Sequence, residues 1–187
     1  MMKNIALLLA AGLVLSAAAR AGAADSKPKM EAPKAPAEIS SFDYFDGRWG
    51  CTGNFMGMPG MPAHAVTSSV SAVRGLGGFW HSFRYLERKT DVNPNPYQNN
   101  GFFGYDPGSK QYLDLNVDNF GGYVPEASSG WSGDVIVFTG EVHMMGKKYN
   151  QRETFTKKNA SEFQHMGETQ GPDGKWTKMD EETCRKP

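Results

Sequence analysis

The segment Asp46-Gly47-Arg48-Trp49-Gly50-Cys51 decides the fold when it is read together with Cys184, near the C-terminus. Between the two cysteines lie only short segments of alternating character, separated by turn residues. Two cysteines in an exported chain usually pair, and the first and last strands of a sheet meet when the sheet closes on itself. The segment and its distant partner therefore predict a closed β-barrel with a Cys51–Cys184 disulfide. The alternative is two unrelated thiols, or a thiol that binds metal.

From Arg48 onward the sequence has a period of two residues, which is typical of strands. We predict ten strands, over about 49–56, 63–74, 78–89, 98–106, 110–118, 122–131, 134–143, 148–157, 161–170 and 174–184. Because the links are short and no helix crosses over, neighbouring strands must run antiparallel. A sandwich and an up-and-down barrel both satisfy this condition. The consecutive hairpins and the terminal cysteines favour an all-β, antiparallel up-and-down barrel.

The N-terminal residues 1–23 are typical of an export signal, with Lys3, an apolar run and the small residues Ala21-Gly22-Ala23 at a cleavage site. The run is shorter than the roughly 20 apolar residues that a membrane-spanning helix needs, so we expect no membrane span. Residues 24–40 are rich in Lys, Pro and Ala and predict a flexible linker. Residues 41–187 then form the barrel domain, which starts with a short helical turn. We expect a periplasmic or secreted protein.

The charge balance argues against polyanionic partners. Lys and Arg together number 20, as do Asp and Glu, and the two signs are interspersed. Such a chain offers no basic face to nucleic acid and no polybasic anchor to anionic lipid. We expect no nucleic-acid partner, and a monomer is the favoured state.

The aromatic residues, 12% of the chain, suggest a ligand site. A barrel of about ten strands is wide enough to leave an internal cavity, and such cavities commonly bind small, mostly apolar molecules. The expected ligand-binding residues are Phe83, Tyr85, Arg84, Phe103, Tyr112, Trp131, Arg152 and Glu153. The alternatives are that the rings only pack the core, or that the charged members form the interior polar cluster of an enzyme. No catalytic motif accompanies them, so no catalytic residue is predicted.

Methionines suggest a second kind of site. They occur with a histidine in the links after the first and the seventh strands, as Met56, Met58, Met61, His143, Met144 and Met145. In an up-and-down barrel both links lie at the same end, so these residues would share one rim. Thioether sulfurs select Cu(I), which makes the rim a candidate copper site. The alternative is that the methionines fill apolar gaps at the mouth of a cavity.

Gly47-Arg48-Trp49 resembles the Gly-x-Trp signature of lipocalin-type barrels, in which the Trp plugs one end and an Arg often stacks on it. The chain is also similar to a bacterial family, domain of unknown function 1579, in an ordered set of motifs over residues 42–184. These are the 46–51 segment, Gly77-Gly78-Phe79-Trp80, Gly104-Tyr105-Asp106, Gly130-Trp131-Ser132-Gly133-Asp134 and Arg152-Glu153-Thr154-Phe155. The resemblance implies a lipocalin-like barrel with no settled activity, in which Gly47, Arg48 and Trp49 close the barrel.

The resemblance also bears on one histidine. Some related barrels hold haem inside, which makes His165 a candidate axial ligand. The alternative is an imidazole whose hydrogen bonds are satisfied within the protein. No cofactor is predicted, and haem and Cu(I) stay as the two candidates.

Overall fold

The computed structural model describes residues 30–58 and 60–187. From Lys34 onward the chain forms one compact unit, in which ten antiparallel strands make a closed barrel. The strands are β1 (Gly47–Phe55), β2 (His64–Gly75), β3 (Trp80–Glu87), β4 (Gln98–Asp106), β5 (Gln111–Asp118), β6 (Tyr123–Ser128), β7 (Val135–Met144), β8 (Lys147–Asn159), β9 (Glu162–Gln170) and β10 (Trp176–Arg185). Each strand pairs with its sequence neighbours, and β1 pairs with β10, so the predicted up-and-down barrel is confirmed.

The disulfide ties the closing pair of strands together. Cys51 on β1 lies directly opposite Cys184 on β10, and their Cα atoms are 4.0 Å apart. Both side chains are buried, and the bond joins residues 133 positions apart in the sequence. The predicted Cys51–Cys184 disulfide is confirmed.

A 3-10 helix, Ala37–Phe45, fills one end of the barrel. Ile39 and Phe42 are completely buried, and the Phe42 ring stacks on Phe103 of β4 with the ring centroids 4.9 Å apart. The helix starts within the predicted linker, because Ile39 contributes an apolar side chain to the core. The folded unit therefore begins before residue 41. The predicted export signal, residues 1–23, lies outside the described residues.

Trp49 closes the same end from the start of β1. Its indole Nε1 donates a hydrogen bond to the carbonyl of Phe45 at 2.7 Å, and the ring is 2% exposed. Arg48 takes no part in this closure, because strand alternation points it outward, and it is exposed. Lys186 supplies the stacked cation instead, with its Nζ 4.7 Å from the Trp49 ring centroid. Gly47, at φ +107°, makes the turn into the strand.

The two ends of the barrel differ. The helix and the even-to-odd links, such as that between β4 and β5, lie at the closed end. The odd-to-even links, such as that between β1 and β2, lie at the opposite end. Among the residues that the structure describes, no helix is long and apolar enough to cross a membrane.

Candidate functional site

The interior of the barrel holds a cavity of about 550 Å³, which Phe45 of the helix and Trp49 line at the closed end. Its wall comes from inward-pointing residues of the strands, and it extends to the rim. Four of the five odd-to-even links contribute to it there, through residues such as Met61, Asn93, Phe120 and Met145. The cavity is therefore continuous with the loop end of the barrel, while the helix closes the other end.

Four of the predicted ligand-binding residues line this cavity. They are Phe83, Tyr85, Phe103 and Glu153. Phe83 and Phe103 stack on each other with centroids 4.7 Å apart, which forms an apolar side of the wall. Burial raises the pKa of Tyr85, with the carboxyl of Glu182 adding to the effect, so its hydroxyl remains a hydrogen-bonding group.

The two predicted arginines lie elsewhere. Arg84 neighbours two inward-pointing aromatic residues in β3, so alternation places it on the outer face, where it is exposed. Arg152 is next to Glu153 and also points outward. Its Nη2 donates to a carboxylate oxygen of Glu168 at 2.9 Å, and its guanidinium lies 4.6 Å from the Trp176 ring centroid. Neither arginine lines the cavity, so the interior cluster that would have joined Arg84, Arg152 and Glu153 does not form.

Tyr112 and Trp131 belong to the closed end. The Tyr112 ring meets Phe42 edge-on at 5.6 Å, and the Trp131 ring lies 6.4 Å from it. Trp131 Nε1 also donates to the Ser41 hydroxyl at 3.2 Å. These two side chains pack the helix against the barrel and do not line the cavity.

The structure brings part of the methionine set together. Met58 and Met61 pair through backbone hydrogen bonds in the β1–β2 link, and both line the cavity. Met144 and Met145 line it from the β7–β8 side. We call these four residues the methionine rim.

The other two members of the predicted metal set lie apart from the rim. Met56 does not line the cavity and is 40% exposed. His143 points outward, where its Nδ1 shares a hydrogen bond with the Tyr123 hydroxyl at 2.9 Å. Its Nε2 lies 3.0 Å from a Glu141 oxygen. Both imidazole nitrogens of His143 are therefore engaged away from the thioethers.

Below the rim, a set of acidic side chains points into the barrel. This carboxyl belt consists of Asp114, Glu153, Asp180 and Glu182, which line the cavity, and Glu126, which pairs with Asp114 across the β5–β6 ladder but does not itself line the cavity. Of these, sequence reasoning proposed Glu153 alone. Glu182 is only 6% exposed and accepts a hydrogen bond from Ser68 Oγ at 2.7 Å. The available signal was alternation: Glu126 is in phase with the buried Val124 on β6.

One basic side chain lies within the belt. His165 Nε2 contacts the Glu153 carboxylate, and its Nδ1 lies 3.3 Å from Asp180 Oδ1. Burial alone would lower the pKa of His165, but these two carboxylates outweigh it and raise the pKa well above its usual value. Because both ring nitrogens already have partners, His165 offers no free nitrogen to a haem iron. The side chain does not fit the role of axial ligand.

Glu126 and Asp114 are the most buried carboxyl groups of the belt. They face each other across the β5–β6 pair and are 2% and 1% exposed. Burial, followed by the charges of Glu153 and Asp114, raises the pKa of Glu126 to about 10. Burial also raises the pKa of Asp114 well above its usual value, although Asn116 donates a hydrogen bond to it at 2.7 Å. Both oxygens of Glu126 lack a hydrogen-bond partner among the described residues.

Glycines provide the space for these polar groups. A Cβ atom at Gly167 would lie 2.5 Å from Asp180 Oδ2, and one at Gly140 would lie 2.8 Å from Glu126 Cγ. Real Cβ atoms essentially never approach so closely. The carboxyl belt therefore depends on inward positions of β7 and β9 that carry no side chain.

The fold has a solved relative. The crystal structure of Rv2717c from M. tuberculosis has 10% sequence identity to this chain and a TM-score of 0.61, and the match covers 82% of this chain and 99% of that one. A redesigned β-barrel matches with 12% identity and a TM-score of 0.42, over 83% of this chain and 99% of its own. At such identities the first likeness shows a shared fold alone. No curated protein matches the sequence.

The sequence itself matches a family model over residues 35–186, which is nearly all of the described chain. The family is described as protein of unknown function, DUF1579. This range includes the helix, all ten strands and the cavity. The chain belongs to the DUF1579 family.

Proposed function

We propose that this domain binds a small molecule inside the barrel and serves as its carrier or receptor. The observation that supports the proposal is the cavity of about 550 Å³. Ligand sites in proteins commonly have about 300–1,000 Å³, with mostly apolar walls and a few polar groups that fix orientation. Aromatic side chains such as Phe83, Phe103 and Phe155 provide the apolar wall here, and the carboxyl belt provides the polar groups.

The methionine rim suits the entrance to such a site. Thioether side chains are unbranched and polarizable, so they adapt to apolar surfaces of different shape. Met145 is 60% exposed, which places an apolar side chain at the edge of the cavity. An incoming ligand would contact these side chains before it reached the belt.

We also propose that the domain works outside the cytoplasm, in the periplasm or as a secreted protein. Its buried disulfide supports this proposal, because disulfides persist in oxidising compartments and are rare in the cytosol. Expression with reporter fusions in a bacterial host would test it, by locating the protein in the periplasmic or the cytoplasmic fraction.

Native mass spectrometry of protein purified gently from its source tests ligand binding directly. A bound molecule should appear as a discrete mass increment that organic extraction removes. A binding assay with an environment-sensitive apolar dye adds a second measurement. Val70→Phe would place a larger side chain in the cavity and should weaken dye binding, because Val70 points inward on β2. Val73→Phe is the matched control, since Val73 lies on the outer face of the same strand and is 60% exposed. Equal dye binding by both folded variants would contradict the proposal.

Cu(I) binding at the methionine rim is the second candidate function. The observation in its favour is that Met58, Met61, Met144 and Met145 all border one cavity. Three thioethers can hold Cu(I) without an imidazole, which matters because His143 lies apart. Titration of Cu(I) against a competing chelator tests this, with Met58→Leu and Met144→Leu expected to remove a tight site. Unchanged affinity in the double variant would refute it.

A further inference from the structure

The ionisable side chains that line the cavity are mostly acidic. Among the described residues, no lysine and no arginine lines it. The acidic lining residues are Glu87, Asp114, Glu153, Asp180 and Glu182, and Glu126 lies beside Asp114 in the wall. The basic lining residues are His64 and His165. A ligand with a carboxylate or phosphate group would therefore meet mostly carboxyl groups, with the two histidines as its basic neighbours in the described lining.

Both histidines already contact carboxylates of the protein. His64 Nε2 lies 2.8 Å from Glu87 at the rim, and His165 contacts Glu153 and Asp180. Among the residues that the structure describes, no basic side chain forms an ion pair with Asp114, Glu126 or Glu182. Ser68 and Asn116 provide hydrogen bonds to two of these three carboxyl groups.

Glu126 is the exception, because neither of its carboxyl oxygens has a hydrogen-bond partner among the residues described. A buried polar group without a partner destabilises the folded protein, and more so when it is charged. In the free protein, a bound proton keeps this group neutral. A cation that took the place of this proton would give the two oxygens a partner.

The belt lacks the close convergence of ligand atoms that a single metal ion needs. Within the described chain, the one group of three or more His, Asp or Glu ligand atoms that converge closely enough for a metal is Asp43, Asp46 and His81. That group lies at the closed end, where the helix meets β3. The carboxyl groups of the belt come from β5, β6, β8 and β10 and do not converge on one point.

The aromatic wall fits the same ligand class. Tyr85, Phe103 and Phe155 line the cavity close to the belt, and the faces of such rings attract organic cations. The apolar part of the cavity, between the rings and the methionine rim, would hold a hydrocarbon body. The acidic lining, the unpartnered oxygens of Glu126 and the aromatic rings thus favour the same class of ligand, an organic cation.

We propose that the ligand is an amphiphilic organic cation, with an apolar body toward the methionine rim and a protonated amine or quaternary ammonium group at Asp114, next to Glu126 in the wall. This inference rests on the proposed function, that the cavity binds a small molecule. Binding of the cation displaces the proton from Glu126, so ammonium and carboxylate form an ion pair and one proton is released to solvent. The groups that face Glu126 and share in this exchange are Asp114, Glu153 and His165.

Isothermal titration calorimetry with three probes that share a benzyl group tests the proposal. The probes are benzyltrimethylammonium, its neutral isostere neopentylbenzene, and the anion phenylacetate. The cation should bind about 10- to 100-fold more tightly than the neutral isostere, which is the range expected for contacts with charged groups. Its affinity should rise about tenfold per pH unit between pH 6 and pH 8 if one proton is released, while the affinity of the neutral probe should not change. Phenylacetate should not bind measurably.

Two variants complete the test. Glu126→Gln should reduce cation affinity and abolish the pH dependence, yet leave binding of neopentylbenzene unchanged, which shows that the cavity is intact. Glu141→Gln is the control, because Glu141 lies on the outer face of β7 and pairs with Lys148. Equal or tighter binding of the neutral probe by the native protein would overturn the inference and leave the proposed function standing. If neither probe binds and no native ligand is found, both fail together.

Discussion

Glu126→Gln should stabilise the free protein, and the gain should depend on pH. The folded chain holds the pKa of Glu126 at about 10, against 4.5 for an unperturbed glutamate. Between these values the folded state keeps a proton that the unfolded state has released, so the free energy of unfolding falls as the pH rises. The stability is fully present below pH 4.5 and is lost progressively toward pH 10. Glutamine is nearly isosteric and neutral at every pH, so it removes this dependence.

The magnitude follows from the shift. Between pH 4.5 and pH 7 the free energy of unfolding falls by about 1.4 kcal/mol per pH unit, because the unfolded chain releases the Glu126 proton and the folded chain does not. At pH 7 the glutamate therefore destabilises the folded state by about 3 kcal/mol. No discount for solvent screening applies, because the side chain is 2% exposed. For a domain of this size that is an increase in Tm of roughly 6–12 °C. At pH 4 the variant and the native protein should be equally stable.

Urea denaturation of both proteins at pH 4, 5.5 and 7 measures the effect. Glu141→Gln serves as the control, since the hydrogen bond from Lys148 lowers the pKa of Glu141 and its loss should bring no gain. A Glu126→Gln protein that is no more stable than the native one at pH 7 would refute the reasoning. So would a gain of the same size at pH 4, because it would not arise from ionisation.

Three further predictions concern the barrel. Reduction of the Cys51–Cys184 bond, which closes a loop of 133 residues, should lower the free energy of unfolding by about 4–5 kcal/mol in the chain-entropy model, measured by denaturation with and without reductant. Phe42→Ala should cost about 3–5 kcal/mol, because it leaves a cavity at a completely buried site. Gly140→Ala should destabilise the protein by about 1–3 kcal/mol or more, since the new Cβ would lie 2.2 Å from the carbonyl oxygen of Pro125, and thermal melts would detect it. Native-like melting of either variant would contradict the packing described.

The architecture could be predicted from the sequence because its signals are local. Strand alternation and turn residues repeat along the chain, and one pair of cysteines adds the single long-range constraint that closes the sheet. The predicted strands agree with the observed ones to within a few residues, except that β6 ends at Ser128 and not near Trp131. Gly130, at φ +117°, turns the chain away from the strand there.

The site was harder to predict because it depends on which face of each strand points inward and on where each residue lies along the barrel axis. Alternation shows that two residues share a face but not which face is inward, and this led to the inclusion of Arg84 and Arg152. It also gives no position along the barrel axis, so Tyr112 and Trp131 could not be assigned to the closed end. An acidic residue in a strand is usually solvated, and only tertiary structure shows that Glu182 is buried.

The two ends of this barrel differ in how much their interior side chains stabilise the fold. At the closed end, aromatic rings from the helix and the strands fill the interior completely, as the stacking of Phe42 on Phe103 shows. A few residues further along the same strands, glycines leave space and buried carboxyl groups occupy it at a cost in stability. Apolar residues of similar size would have filled that space more favourably. Proteins keep such destabilising groups where activity needs them, so the carboxyl belt is the part of the structure that selection for stability does not explain.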